Sequence, residues 1–527
     1  RRRQPFRWIM CGILAIWVVF AGLKLNESIQ DKIWPRFDYP HQIDHGEGLM
    51  LGLWRTADQG NPLYSPFEDL PWVVNNYPPL YTSVVANQAD NALDALSFGR
   101  SLSFGAYLVS MVMLALVVMG ARRGGIGKPS LADCLAGILA GLYFGKMPHV
   151  LHWGTLMRVD MLGLCLTISG LAFVAMAGRR KTWPVIIAGI LFLAAICTKH
   201  SLVMAPLALV LGCLNHRRRR VVRFSCCMAV AGGILFAVGL WQTDGEMWKH
   251  LIQANQTAWS MELCKFHVGR VWQEIGQAIV MAVLALVLSW SVFLSEYRQK
   301  GRTPRLVLGH YLWLTALGLL MTGKSGSNSN YYLEFYASVA MTLGLLVADL
   351  IAMPTLHYGK NLMRRVPIMV GMIVVFLGLL LGIPDVPMEP PYHREYAVPS
   401  AETAKGLEAV IAKIAQLDGP ILSQDMSLPV LAGKDVIYHP FLMPDLKRRG
   451  LWRDTLLVRM IENKTFARVV LPILLENETQ IGRESRQFGA MFTKETLLAI
   501  LKNYELSTDP IRLPPYIESL HIYRPKQ

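Results

Sequence analysis

The chain has 527 residues, of which 53% are hydrophobic and only 17% charged, with a formal net charge of +15 and a mean hydropathy of +0.33. A soluble domain carries about a quarter charged residues, so this composition excludes an ordinary soluble protein and predicts a mainly α, polytopic membrane protein. The basic residues stand in short clusters between apolar runs, which is how membrane spans are oriented and not how a nucleic-acid surface is built, so no nucleic-acid partner is expected.

At about 20 residues per span, the apolar runs predict about eleven spans, near 8–24, 99–121, 130–146, 160–178, 183–198, 201–215, 222–241, 276–295, 305–322, 330–352 and 366–384. The run from Trp8 to Leu23 follows Arg1, Arg2 and Arg3 and has no small-residue cleavage site, as expected of a retained signal anchor. The clusters Arg1–Arg3, Arg122-Arg123, Arg179–Lys181, Arg217–Arg223, Arg298–Arg305 and Lys360–Arg365 all fall on one side, which the positive-inside rule makes cytoplasmic. The opposite side receives residues 25–98, 146–159, 242–275, 323–330 and everything after 385. The stretch from Pro78 to Ala89 is apolar but would reverse every later cluster if it crossed, so a helix lying in the outer interface is expected there. The cytoplasmic loops hold few acidic residues from which an inner gate could be made, which weighs against a transporter.

All eight cysteines lie before residue 265, nearly all in apolar runs, and none has a zinc-like spacing. Neither a disulfide framework nor a cysteine metal site is expected. After Pro384 the composition changes. A Pro-rich linker over 385–400 precedes a small extracytoplasmic α/β domain over 401–527, with helices at 401–417, 451–462 and 493–503 and strands at 420–423, 436–438, 468–471 and 520–523. Lacking a Gly-rich phosphate loop, this domain is expected to serve recognition or structure.

The stretch Arg36 to Gly48, directly after the first span, carries Asp38, Asp44, Glu47, two histidines and two glycines. Ionisable groups this near a bilayer are costly unless used. Asp44 and Glu47, at i and i+3, suit a general base and a group that orients the acceptor or holds a sugar hydroxyl. The same spacing also fits a capping box that opens a helix over 47–58, and both readings stand. Asp38 is a turn residue.

Further along the chain, Arg100 and Arg158 suit a lipid-linked phosphate or simple snorkelling and helix-end pairing. Asp160 suits a sugar, a cation or a local ion pair with Arg158. Lys199 and His200 stand in an outer turn where a phosphate leaving group could be neutralised. Asn328, Asn330 and Tyr331 suit sugar hydroxyls, Glu334 is costly if unpaired, and Asn76 and Tyr77 open a rigid turn suited to stacking on a sugar. His149 and His152 have metal-like spacing but no clear third ligand, so interfacial histidines are expected and no metal. Under one topology the charged groups of this set surround one outer mouth.

The order of Asp44-His-Gly-Glu-Gly48, Asn76-Tyr-Pro-Pro-Leu-Tyr81, Gly99-Arg100, Arg158-Val-Asp160, Thr198-Lys199 and Asn328-Ser-Asn-Tyr-Tyr-Leu-Glu334 resembles the GT-C glycosyltransferases over roughly residues 8–350. The nearest branch is the one related to protein O-mannosyltransferases and the lipid A aminoarabinose transferase. The resemblance implies a membrane domain over 1–384, with outer loop and juxtamembrane helices over 25–98, in a bacterial inner membrane with the C-terminal domain periplasmic. It implies transfer of a sugar, with inversion, from a polyprenyl-phosphate carrier to an acceptor hydroxyl on a glycan, lipid or protein, without cofactor or metal. It places the catalytic acid in the first outer loop, where the family's adjacent Asp-Glu is here Gly46-Glu47 with Asp44 upstream. That departure leaves open whether Asp44 or Glu47 is the base. It also leaves as alternatives a non-catalytic membrane subunit with membrane-protein partners, or a lipid-linked sugar transporter.

Overall fold

The computed structural model describes residues 4–123, 128–177, 183–288, 303–352, 400–484, 491–507 and 520–527. Among the described residues six helices are long and apolar enough to cross a membrane: Trp8–Phe37, Ala92–Arg122, Val159–Met176, Val222–Gln242, Pro304–Gly323 and Ser329–Ile351. Trp183–Thr198 and Met204–Cys213 are shorter apolar helices. The expected span 366–384 and most of the linker lie outside the described residues. The chain is an integral membrane protein.

Close helix approach decides the packing. Gly137 and Gly141 of the Leu131–Lys146 helix face the Ala92–Arg123 helix, where an added Cβ would stand 2.7 Å from the Ala115 carbonyl and 2.6 Å from that of Met111. Apolar attraction between helices is weak in lipid, so small residues that let backbones touch set such contacts. The helical run Met204–Gln242 has two arms. Met204 and Gly212 meet Gly318 and Val307, so the first arm runs antiparallel to Thr303–Gly318. Phe224 and Met228 meet Gly189, and Gly232 meets Leu193, so the second arm runs parallel to Trp183–Thr198. The chain therefore reverses between the arms, near the arginine cluster, although the expected loop there is helical.

At the end of the bundle away from the candidate site, Arg122 pairs with Asp133 at 3.8 Å and Asp349 at 2.9 Å, and Arg305 pairs with Asp349 at 2.8 Å. These two aspartates stand inside helices and tie four helix ends together. Leu80–Ala86 is a seven-residue helix, far too short to cross, packed against the cluster around Trp54, Val73 and Tyr77. The segment before residue 276, expected to be a loop on the outer side, is largely helical. Met261–Leu288 is one helix with a break at Ile275, and its outer part exposes Phe266 and Trp272.

The C-terminal region carries a four-stranded sheet in the order β1 (Ile421–Ser423), β2 (Arg468–Leu471), β4 (His521–Pro525), β3 (Tyr504–Leu506), with β1 parallel to β2 and the other pairs antiparallel. Strand alternation splits its side chains between two cores. Leu422, Val469 and Leu471 face the helices Thr455–Glu462 and Lys494–Asn503, whereas Ile421 and Val470 face Ala401–Ala415 and Tyr39 of the outer loop. The expected strand 436–438 is corrected. It forms only a bridge at Tyr438 to Trp72, where Trp72 N–H donates to the Ile437 carbonyl at 2.9 Å and His439 N–H to the Trp72 carbonyl at 2.8 Å. Those backbone groups pair across the domain boundary instead of within the sheet, and β3 was not foreseen.

Candidate functional site

The loop after the first apolar helix enters the His45–Asp58 helix through Asp44, whose extended backbone (φ −119°, ψ 141°) makes it the N-cap. Its Oδ1 accepts from Gly46 N–H at 2.8 Å and from Arg158 Nη1 at 3.2 Å. Oδ2 has no hydrogen-bond partner among the described residues, and the side chain is 20% exposed. Asp44 is thus a cap with one carboxylate oxygen to spare, and the helix begins two residues before the expected 47.

Glu47 is different. It is fully buried, and Arg100 Nε and Nη2 each donate to it at 2.9 Å, with Met157 N–H at 2.8 Å and Ile43 N–H at 2.7 Å. The expected capping box is corrected: Asp44 accepts from Gly46 N–H and not from Glu47 N–H, and Glu47 reaches back to Ile43 and not to Asp44, so Asp44 is a simple N-cap. Burial by itself would raise the Glu47 carboxyl, but the Arg100 charge and these hydrogen bonds outweigh it and hold it below the usual carboxylate range. Arg100 completes its set by donating to the carbonyls of Arg36 at 2.9 Å, Tyr39 at 2.6 Å and His41 at 2.6 Å. All five of its N–H groups are engaged, so the expectation that Arg100 binds a phosphate is corrected. It locks the loop to the membrane domain.

Arg158 is the extended residue before the Val159–Met176 helix. Its Nη2 donates to the Tyr77 hydroxyl at 2.9 Å, and its guanidinium lies 5.3 Å from the Trp153 ring centre. Asp160, one residue into that helix, accepts at Oδ1 from Lys199 Nζ at 2.7 Å and Asn330 Nδ2 at 2.8 Å. Arg158 Nε and Asp160 Oδ2 stand 3.8 Å apart, near enough to attract but not to bond, and both atoms are buried without a hydrogen-bond partner. Lys199 follows the end of Trp183–Thr198, where the helix dipole favours a cation, and lies 4.8 Å from the Tyr331 ring centre. Asn330 Oδ1, His200 Nδ1 and Asn76 Oδ1 are also buried and unpartnered. Four separate chain segments thus converge on one polar centre with unfilled hydrogen-bonding capacity.

Other expected residues fall elsewhere. Asn328 caps Ser329–Tyr332 by accepting from Ser329 N–H at 2.7 Å, which gives it a structural position. Glu334 is paired, accepting from the Tyr311 hydroxyl at 3.1 Å. His149 meets Glu274 at 3.3 Å while His152 shares a hydrogen bond with Arg36 at 3.2 Å, so the two histidines do not converge. Among the described residues no group of three His, Cys, Asp or Glu is arranged to hold a metal. Sequence reasoning missed Trp153 and also Lys324, whose amine is pushed down to about 8 by burial and by the nearby Lys199 and Arg449 charges.

Gly46 gives this geometry a sharp test. A Cβ there would overlap the Arg158 guanidinium and crowd Asp44 Oδ1 at 2.8 Å. Gly46→Ala is expected to displace Arg158 and lower the melting temperature, although it raises helix propensity by up to about 1 kcal/mol. A thermal melt checks it, and a melting temperature unchanged or raised would refute the contact.

No protein-family model matches the sequence, and no curated protein matches it. Solved structures do. ArnT, the lipid A aminoarabinose transferase, from Cupriavidus metallidurans bound to undecaprenyl phosphate matches with a TM-score of 0.57 at 14% identity, over 97% of this chain and 98% of that one. The fold is the GT-C fold. The apo form of the same ArnT gives a TM-score of 0.55. Archaeoglobus fulgidus oligosaccharyltransferase AglB, in complex with an inhibitory peptide and a dolichol-phosphate, gives 0.55 at 10% identity, over 95% of this chain and 72% of that one. The GT-C likeness extends across the C-terminal domain as well as the membrane helices, since it covers nearly the whole chain.

Proposed function

We propose that this protein is a GT-C glycosyltransferase that moves a sugar from a polyprenyl-phosphate carrier to an acceptor hydroxyl at the outer face, with inversion. The observation that carries the proposal is Asp44, a carboxylate with one unfilled oxygen beside Arg158, next to the buried Asp160, Lys199 and Asn330. In the proposed step Asp44 takes the acceptor proton. The acceptor oxygen forms a bond to the anomeric carbon as the carbon–oxygen bond to phosphate breaks, and the electron pair leaves on the carrier phosphate. Arg158 and Lys199, both largely buried, face that growing charge, and fixed cations act most strongly away from water. Asp160, Asn330, Asn76, Tyr77, Tyr331 and His200 hold the sugar. Glu47 is assigned to architecture, because a carboxylate saturated by four donors is a poor base. We place the site on the extracytoplasmic face of a bacterial inner membrane.

The test is sugar consumption from a panel of radiolabelled polyprenyl-phosphate sugars by the reconstituted chain. Consumption of one donor, lost in Asp44→Asn, supports the reading, whereas no consumption of any donor returns the structural-subunit reading. Arg158→Lys keeps the charge but loses the planar fork that reaches both Asp44 and Tyr77. It is expected to lower kcat by about 10–100-fold with little change in melting, an interaction of roughly 1.4–2.8 kcal/mol. Wild-type kcat in that variant would remove Arg158 from the centre.

A further inference from the structure

A second set of side chains lacks partners, in the seam where the outer loop meets the C-terminal domain. Gln42 Oε1, His45 Nε2 and His439 Nε2 are buried and make no hydrogen bond among the described residues. The seam is tightly built. A Cβ on Gly48 would overlap Gln42 Oε1 and stand 3.0 Å from Ser427 N, and Ser427 donates its N–H at 2.8 Å and its hydroxyl at 2.6 Å to Asp425 Oδ1. His45 lies within electrostatic reach of Asp425, Asp44 and Arg158, and His439 within reach of His45. His439 Nδ1 accepts from Leu442 N–H at 3.2 Å, which leaves its Nε2 as a free N–H donor. Burial pushes His439 down to about 3 and lowers His45, so both rings are neutral at neutral pH.

A buried polar group left unpaired costs about 1–3 kcal/mol, so several beside one candidate base indicate a ligand that completes them. We propose that Gln42, His45, Asp425 and His439 form the acceptor side of the reaction centre, and that they receive a saccharide whose hydroxyl is the nucleophile. This rests on the glycosyl-transfer reading above. Neutral donors and acceptors suit hydroxyls, each of which both donates and accepts. The cations that suit a phosphate are Arg158, which touches Asp44, and Lys199, which pairs with Asp160. Asp44 touches Arg158 and is the chain neighbour of His45, so it adjoins both groups. The C-terminal domain then supplies part of the binding site through Asp425 and His439.

The experiment uses the reconstituted full chain, the donor it consumes, and n-octyl β-D-glucoside below micellar concentration as the acceptor probe. Labelled free sugar and labelled glycoside are counted separately. His439→Phe and Asp425→Asn are expected to raise the KM for the glucoside about tenfold, one to two hydrogen bonds' worth, and to shift the product ratio from glycoside towards hydrolysis. Gln42→Leu, on the loop side of the seam, does the same without altering the C-terminal domain. The proposal is overturned if both products fall in equal proportion in these variants. It is also overturned if wild type hydrolyses the donor yet never glycosylates the glucoside, or if a serine-containing peptide is glycosylated in its place. If wild type consumes no donor, the glycosyl-transfer reading itself fails and this assignment falls with it.

Discussion

Asp44→Asn is expected to cut sugar transfer by about 10²–10⁴-fold, the usual worth of a general base, and to leave the fold intact. The substitution is chosen because Asp44 has two roles. As N-cap it holds Gly46 N–H, and Asn caps a helix about as well as Asp, so the start of His45–Asp58 survives. What Asn cannot do is accept the acceptor proton at the oxygen that Asp44 leaves free. Asp44→Ala, by contrast, adds the loss of the cap, roughly 0.5–2 kcal/mol. Transfer rate and melting temperature of both variants separate the two roles. Near-wild-type transfer in Asp44→Asn would place the base elsewhere.

Glu47→Gln and Arg100→Leu are each expected to destabilise the protein by about 3–5 kcal/mol, because each leaves a buried partner without its counter-charge. Either change also frees the loop, since Arg100 ties the carbonyls of Arg36, Tyr39 and His41 to Glu47. Thermal unfolding and the yield of folded protein measure the effect. A Glu47→Gln variant that melts normally but transfers nothing would instead make Glu47 the base. The pair also sets an acid limit. Glu47 is held below its ordinary value of 4.5, so its stabilisation is complete above that pH and is lost as pH falls through the lower folded value. Melting temperature should therefore drop more steeply below about pH 4.5 in wild type than in Glu47→Gln.

Much of the site was legible because its chemistry is local and costly. Arg158-Val-Asp160 and Lys199 are ionisable residues at the ends of apolar runs, and such groups persist near a bilayer only where something pairs or uses them. The i, i+3 spacing of Asp44 and Glu47 was legible too, but it could not separate the two. One carboxylate points to a side chain at the rim and keeps an oxygen free, while the other is filled by two main-chain N–H groups and Arg100. Main-chain donors and acceptors exist at nearly every position, so no sequence pattern announces which ones will converge. For the same reason Arg100 looked like a phosphate ligand until three carbonyls were found to occupy it. Asn328 looked like a sugar ligand because a capping Asn and a binding Asn share one chemistry and differ only in what lies opposite.

The sequence by itself determined the class of protein and the order of its apolar segments among the described residues. Each of these follows from composition and short-range periodicity, which water and lipid read directly. Only the tertiary structure decided which charges pair and that the 436–439 segment binds Trp72 across the domain boundary and not the sheet. It alone brought Asp425 and His439 beside His45, with nearly 400 residues between the segments in the chain. Those contacts depend on the relative placement of helices and domain, which side-chain packing over the whole chain sets and no local stretch contains.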